Sequence, residues 1–160
     1  MTRRCRLASF SPLPPARTGV ADYSRELLPE LARRAEIALF TEDPQAVVKA
    51  SLPSLPLFSI DDYPAQRWKF DAALYHMGNS VYHEAIYEAA LRYPGIVVLH
   101  DFGLHHFIFA HTVGRGSWAA YAREMGYARG AAGIAQARAV QRSQTEAPVW
   151  GWPLNDRLLD

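Results

Sequence analysis

The sequence predicts an α/β fold: an open, mostly parallel sheet with flanking helices and an α-helical C-terminal part. Three observations predict it. Short apolar runs recur along the first hundred residues, segments with helical spacing alternate with them, and the chain from about Leu104 to Thr145 is Ala-rich and mostly helical in pattern. That order of strands and helices favours a parallel sheet with crossover helices.

The first strand is "CRLASF", residues 5–10, ended by the Pro-rich loop "SPLPPARTG". From Thr18, a candidate N-cap, the spacing of Val20, Tyr23, Leu27, Leu28 and Leu31 is helical. Pro29 lies inside that pattern and predicts a kink or a shift. "EIALF" (36–40) and "LPLFSI" (55–60) read as the second and third strands, with a helical turn expected in "PQAVVKA" between them. "FDAALYH" (70–76) is the fourth apolar run, and 80–93 has helical periodicity until Pro94 and Gly95 stop it. "IVVLH" (96–100) is β-branched and uninterrupted, the pattern of a central strand covered on both faces. The remainder predicts three helices divided near Gly114-Arg115-Gly116 and at Gly130, then an irregular tail ending in one helical turn.

At 160 residues the chain suits a single domain, residues 1–160, able to bury roughly 70% of its unfolded surface. Half of the residues are apolar, which argues against disorder. A net charge of +1 gives no electrostatic reason to expect nucleic acid as a partner. Cys5 is the only cysteine, so no internal disulfide and no Cys cluster for zinc can form. A reducing cytoplasm is the compartment expected. The basic start is followed by too short an apolar run for a signal peptide, and no stretch of about 18 apolar residues predicts a membrane span.

In open α/β sheets ligands bind outside the carboxyl ends of the strands. The loops leaving the first, fourth and fifth runs, at 11–19, 77–80 and 100–103, should therefore share one rim. Each carries suitable chemistry. Gly19 precedes a helix N-terminus, where backbone N–H groups and the helix dipole favour an anion, although a tight turn alone would also explain a glycine there. Asn79 can exchange hydrogen bonds with a sugar or alcohol, or cap the helix that begins beside it. His100 and Asp101 offer an acid–base group with a carboxylate beside it, or a packed histidine with a capping aspartate. Metal binding is disfavoured: on a helix His105 and His106 point about 100° apart, and no H-E-x-x-H spacing occurs. The aromatics Tyr82, Tyr87, Phe107, Phe109, Trp118, Tyr121 and Tyr127 suit core packing or sugar stacking. The arginines at 115, 123, 129, 138 and 142 suit a solvated face, a phosphate or a membrane surface.

Three stretches, "FSPLPPARTGVADYSRELLPELA", "LYHMGNSVYHEAIYEAA" and "YPGIVVLHDFGLHHF", resemble successive signatures of the N-terminal lobe of group 1 (family 4) glycosyltransferases with the GT-B fold. The resemblance covers residues 5 to about 113, and "WPLNDRLLD" is similar to the family's segment leading into its next strand. It implies a Rossmann-like acceptor-side lobe whose intact parent moves a sugar, with retention, from a nucleotide-sugar donor to a glycan or lipid-linked acceptor; no cofactor or metal is expected. By the same resemblance Gly19 approaches the donor diphosphate, His100 is the catalytic candidate that contacts the transferred sugar, Asn79 belongs to the "GN" loop beside the cleft, and Asp101 matches in type as a substrate-binding residue.

The chain stops before the family's donor lobe, so it is expected to be inactive alone, with self-association through the truncated surface and peripheral contact with the inner membrane as further expectations. Two other classes stay open: a noncatalytic binding or assembly module, and a metal-dependent hydrolase built on His100 and Asp101.

Overall fold

In the computed structural model, which describes residues 3–48, 52 and 54–160, the alternation of apolar runs becomes a parallel sheet. Its strands are β1 (Arg6–Phe10), β2 (Glu36–Thr41), β3 (Leu57–Ser59), β4 (Ala72–Met77) and β5 (Ile96–Leu99), in the order β3-β2-β1-β4-β5, every pairing parallel. Helices α1 (Gly19–Ala32), α2 (Tyr63–Gln66) and α3 (Glu84–Arg92) connect them. This is the α/β, Rossmann-like arrangement, in which the strand order reverses direction between β1 and β4.

Strand alternation separates two kinds of packing. One face carries Phe10, Phe40 and Tyr75, Phe10 meeting both other rings at 5.1 and 4.6 Å, and Tyr63 packs edge-on against Phe10 and Phe40 at 4.8 and 5.2 Å. The opposite face carries Ile37 and Leu39, clustered with Leu13, Leu28 and Val47. Thr18 caps α1, its hydroxyl accepting from the Val20 N–H at 3.4 Å, and the helix runs through Pro29 to Ala32.

Two expectations need correction. β5 is the outermost strand among the described residues and Ile96 is 56% exposed, whereas the centre is β1, whose Arg6 and Ser9 make it look less buried in sequence. An uninterrupted apolar run records what its side chains touch, not its rank in the sheet. The segment 60–69 forms two 3-10 turns around α2. The helical turn expected in 44–50 is an ordinary turn over 44–46, and positions 49 and 50 lie outside the described residues.

The chain divides into two compact units, 3–77 with 82–100 and 78–81 with 101–160. The second is helical: α4 (His105–Thr112), α5 (Trp118–Gln141) and α6 (Asp156–Leu159). Phe109, Trp118 and Tyr121 form a triangle of edge-on rings 5.2–6.0 Å apart that packs α4 on α5. Ser117 caps α5 through a bond from the Ala120 N–H. As the glycine at 130 suggests, α5 is interrupted: Arg129 and Gly130 leave helical geometry, Gly130 with φ +60°, and the chain doubles back so that the Gly133 Cα lies against the Met125 carbonyl.

Candidate functional site

All five strands are parallel, so their carboxyl ends lie on one edge of the sheet, and β1 and β5 deliver Gly19 and His100 to it. The β1–α1 loop opens onto a cleft of about 460 Å³ lined by residues 14–19 with Asp22 and Arg25. Arg17, Arg25 and Asp22 are among its lining residues, and Arg25 and Asp22 form an ion pair at 3.2 Å. Gly19 has no left-handed backbone, and a Cβ built on it would meet nothing within 4 Å. Neither the turn nor local packing requires a glycine there.

His100 continues the sheet ladder, its N–H donating to the Met77 carbonyl at 2.8 Å. Its Nε2 lies 3.0 Å from Nδ1 of His76, the rings nearly stacked with centroids 5.3 Å apart. Tyr23, one turn into α1, packs edge-on against His100 at 4.8 Å and tilted against His76 at 5.9 Å. His76 is 2% exposed; burial first, and then the neighbouring His100 and His83, lower its pKa to about 4. One imidazole donates and the other accepts, so the neutral pair completes the bond without a charge. Ser11 and Ser24 share a buried 2.5 Å hydroxyl contact that ties the end of β1 to α1.

Asn79 and Asp101 belong to the helical unit and bind each other there: the Asn79 N–H donates to Asp101 Oδ2 at 2.8 Å. The Asn79 side chain is a cap, but not for the helix beside it in sequence. Its Oδ1 accepts from the Phe107 N–H at 2.8 Å, in the first turn of α4, where Leu104 at the N-cap position has no capping side chain. The amide orientation follows, because a backbone N–H needs an acceptor. Asn79 Nδ2 then donates to His106 Nδ1 at 3.2 Å, which leaves the neutral His106 ring carrying its proton on Nε2.

Buried His105 is a joint of the same unit. Its Nδ1 donates to the Trp152 carbonyl at 2.7 Å and its Nε2 accepts from the Tyr121 hydroxyl at 2.8 Å. Burial lowers the His105 pKa, opposed by the bond to Trp152 and reinforced by His106, and the same burial pushes Tyr121 up to about 12.

The structure thus joins Gly19 and His100 to one sheet edge and Asn79 to Asp101 within the helical unit. His76 and Tyr23 were missed as members of the site. The available signal was the parallel between "LYH" and "VLH": each is a polar ring closing an apolar run. Of the aromatic candidates, Tyr87, Phe107 and Tyr121 are buried, while Tyr82 and Tyr127 are half exposed. Among the described residues no group of three His, Cys, Asp or Glu side chains is placed to hold a metal ion, and no helix is long and apolar enough to cross a membrane. No family model, curated protein or solved structure matches the chain.

Proposed function

We propose that the chain is the acceptor-side lobe of a retaining glycosyltransferase, which with a donor-binding lobe moves a sugar from a nucleotide-sugar to a glycan or lipid-linked acceptor. The observation that carries this reading is Gly19: a glycine without a conformational or packing reason, at a helix N-terminus, facing a cleft with two arginines. A phosphate approaching the first turn of α1 would use the space a side chain would occupy, and the N–H groups and dipole there stabilise negative charge as a diphosphate leaves. His100, on the same edge, would hydrogen-bond the transferred sugar, with Tyr23 and His76 restricting its ring.

The test uses the polypeptide in its complete natural form with radiolabelled UDP-glucose and GDP-mannose. Gly19→Ala should leave thermal stability unchanged, or raise it by up to about 1 kcal/mol by restricting the unfolded chain, while weakening use of the donor. His100→Ala should slow transfer about 10²-fold, the cost of losing one transition-state hydrogen-bond donor. Transfer at the parent rate in both folded variants overturns the reading and returns His100 to a packing role.

A further inference from the structure

Among the described residues Trp150 is the most exposed large apolar side chain, at 92%. The backbone that carries it is hydrogen-bonded. The turn that carries it is closed by bonds from Val149 N–H to Ala147 O, and from Gly151 and Trp152 N–H to Pro148 O, at 2.8, 3.1 and 3.0 Å. The segment after the turn is pinned at the Trp152 carbonyl by His105 and at the Pro153 carbonyl by the Leu104 N–H, both at 2.7 Å. The backbone under the ring is thus ordered before anything stacks on it.

The surroundings of Trp150 are polar. The His106 ring meets the indole edge to face, centroids 5.8 Å apart. Because Nδ1 of that imidazole accepts from Asn79, its Nε2–H is a donor. On the other side of Asn79, the exposed Asp101 carboxylate accepts one backbone N–H and has acceptor capacity beyond that bond. An aromatic face, a neutral donor and a carboxylate acceptor are thus linked by consecutive contacts within one unit.

We propose that Trp150, His106 and Asp101 form a shallow carbohydrate subsite, with a pyranose C–H face on the indole, a hydroxyl accepting from His106 Nε2–H, and a hydroxyl of the same saccharide donating to Asp101 beyond Asn79. A neutral polyol uses both polar groups. A lipid surface would instead draw the Asp101 carboxylate toward the interface, an unfavourable step that an anionic membrane makes worse. The inference rests on the glycan-acceptor reading for its place in a reaction, but its test is binding.

The measurement is the indole N–H signal of Trp150 and the ring signals of His106 in NMR spectra. Maltotriose, cellotriose and mannotriose are each added at about 10 mM, enough to fill most of a site with a Kd of about 1 mM; open-chain glucitol is the control. At least one trisaccharide should shift both residues in a saturable way. Trp150→Ala should abolish the response at His106 and Asp101→Asn should weaken it severalfold, whereas Trp68→Ala, at the other large exposed indole, should leave it unchanged. Three results overturn the subsite: no shift with any sugar, equal shifts with glucitol, or a Trp150 response to phosphatidylglycerol vesicles but not to sugars. Saturable sugar binding in a protein that transfers nothing supports the subsite and removes the transferase reading. Transfer that proceeds unchanged in Trp150→Ala, with no sugar shift at Trp150, removes the subsite alone.

Discussion

A buried imidazole makes stability depend on pH, and His76 is such a group. In the unfolded chain it titrates near 6.5, in the folded chain near 4, so between those values the unfolded state binds the extra proton. Its contribution is therefore fully present above pH 6.5 and lost as pH falls toward 4, by about 3 kcal/mol in total. His105, also lowered by burial, acts in the same direction. Urea unfolding at pH 7 and pH 4.5 should show this loss, and His76→Gln, which does not titrate, should flatten the slope even if its stability at pH 7 is lower. An unchanged slope in that variant would assign the acid sensitivity to other groups. At this scale the place of His100 at a strand end was legible because a polar ring followed by Asp breaks a β-branched run. His76 occupies the corresponding place on β4, yet only the register that sets β4 against β5 shows the two rings meeting. Asn79 was readable as a cap, but its helix begins 26 residues further on, a distance no local signal spans.

Among the elements, α5 shows how a glycine can be required by packing instead of by backbone geometry. A Cβ on Gly133 would lie 1.9 Å from the Met125 carbonyl oxygen and 2.5 Å from its carbon, which are backbone atoms that cannot turn aside. A Cβ on Gly126 would meet only the Ile134 side chain, at 2.9 Å, and that chain can change rotamer. Gly133→Ala should therefore cost about 3 kcal/mol or more, the upper range for overpacking, and Gly126→Ala much less. Thermal denaturation of the two variants separates them, and equal midpoints would show that the two halves of α5 are not packed this closely. The interruption itself was legible from Gly130, but the fold-back was not, because Ala-rich helices carry little directional pattern in their apolar positions. α1 and its Thr18 cap were legible from local spacing alone. α2 was not, since four residues are too few to show a period.

Over the whole molecule, the five-stranded parallel sheet followed from the alternation of runs, because neighbouring strands and crossovers leave few topologies to choose from. The division of the chain was not legible in sequence, since no Gly-, Pro- or Ser-rich linker marks it. It shows in the short loop after β4: residues 78–81 belong to the unit of 101–160, and Asn79 closes the first turn of α4. Asn79→Ala should lower protection of the Phe107 amide from hydrogen exchange about fivefold, equivalent to about 1 kcal/mol for a lost cap. Full protection in that variant would mean that α4 holds its own end. A peptide of residues 101–160 alone should show the same loss, because it lacks the cap altogether. The helical unit is thus not a cassette. A recombination or fusion joint placed between His100 and Asp101 looks natural on a linear map, yet it would separate a helix from its own first hydrogen bond. Any module that transfers this unit intact has to carry the fourth strand's loop with it.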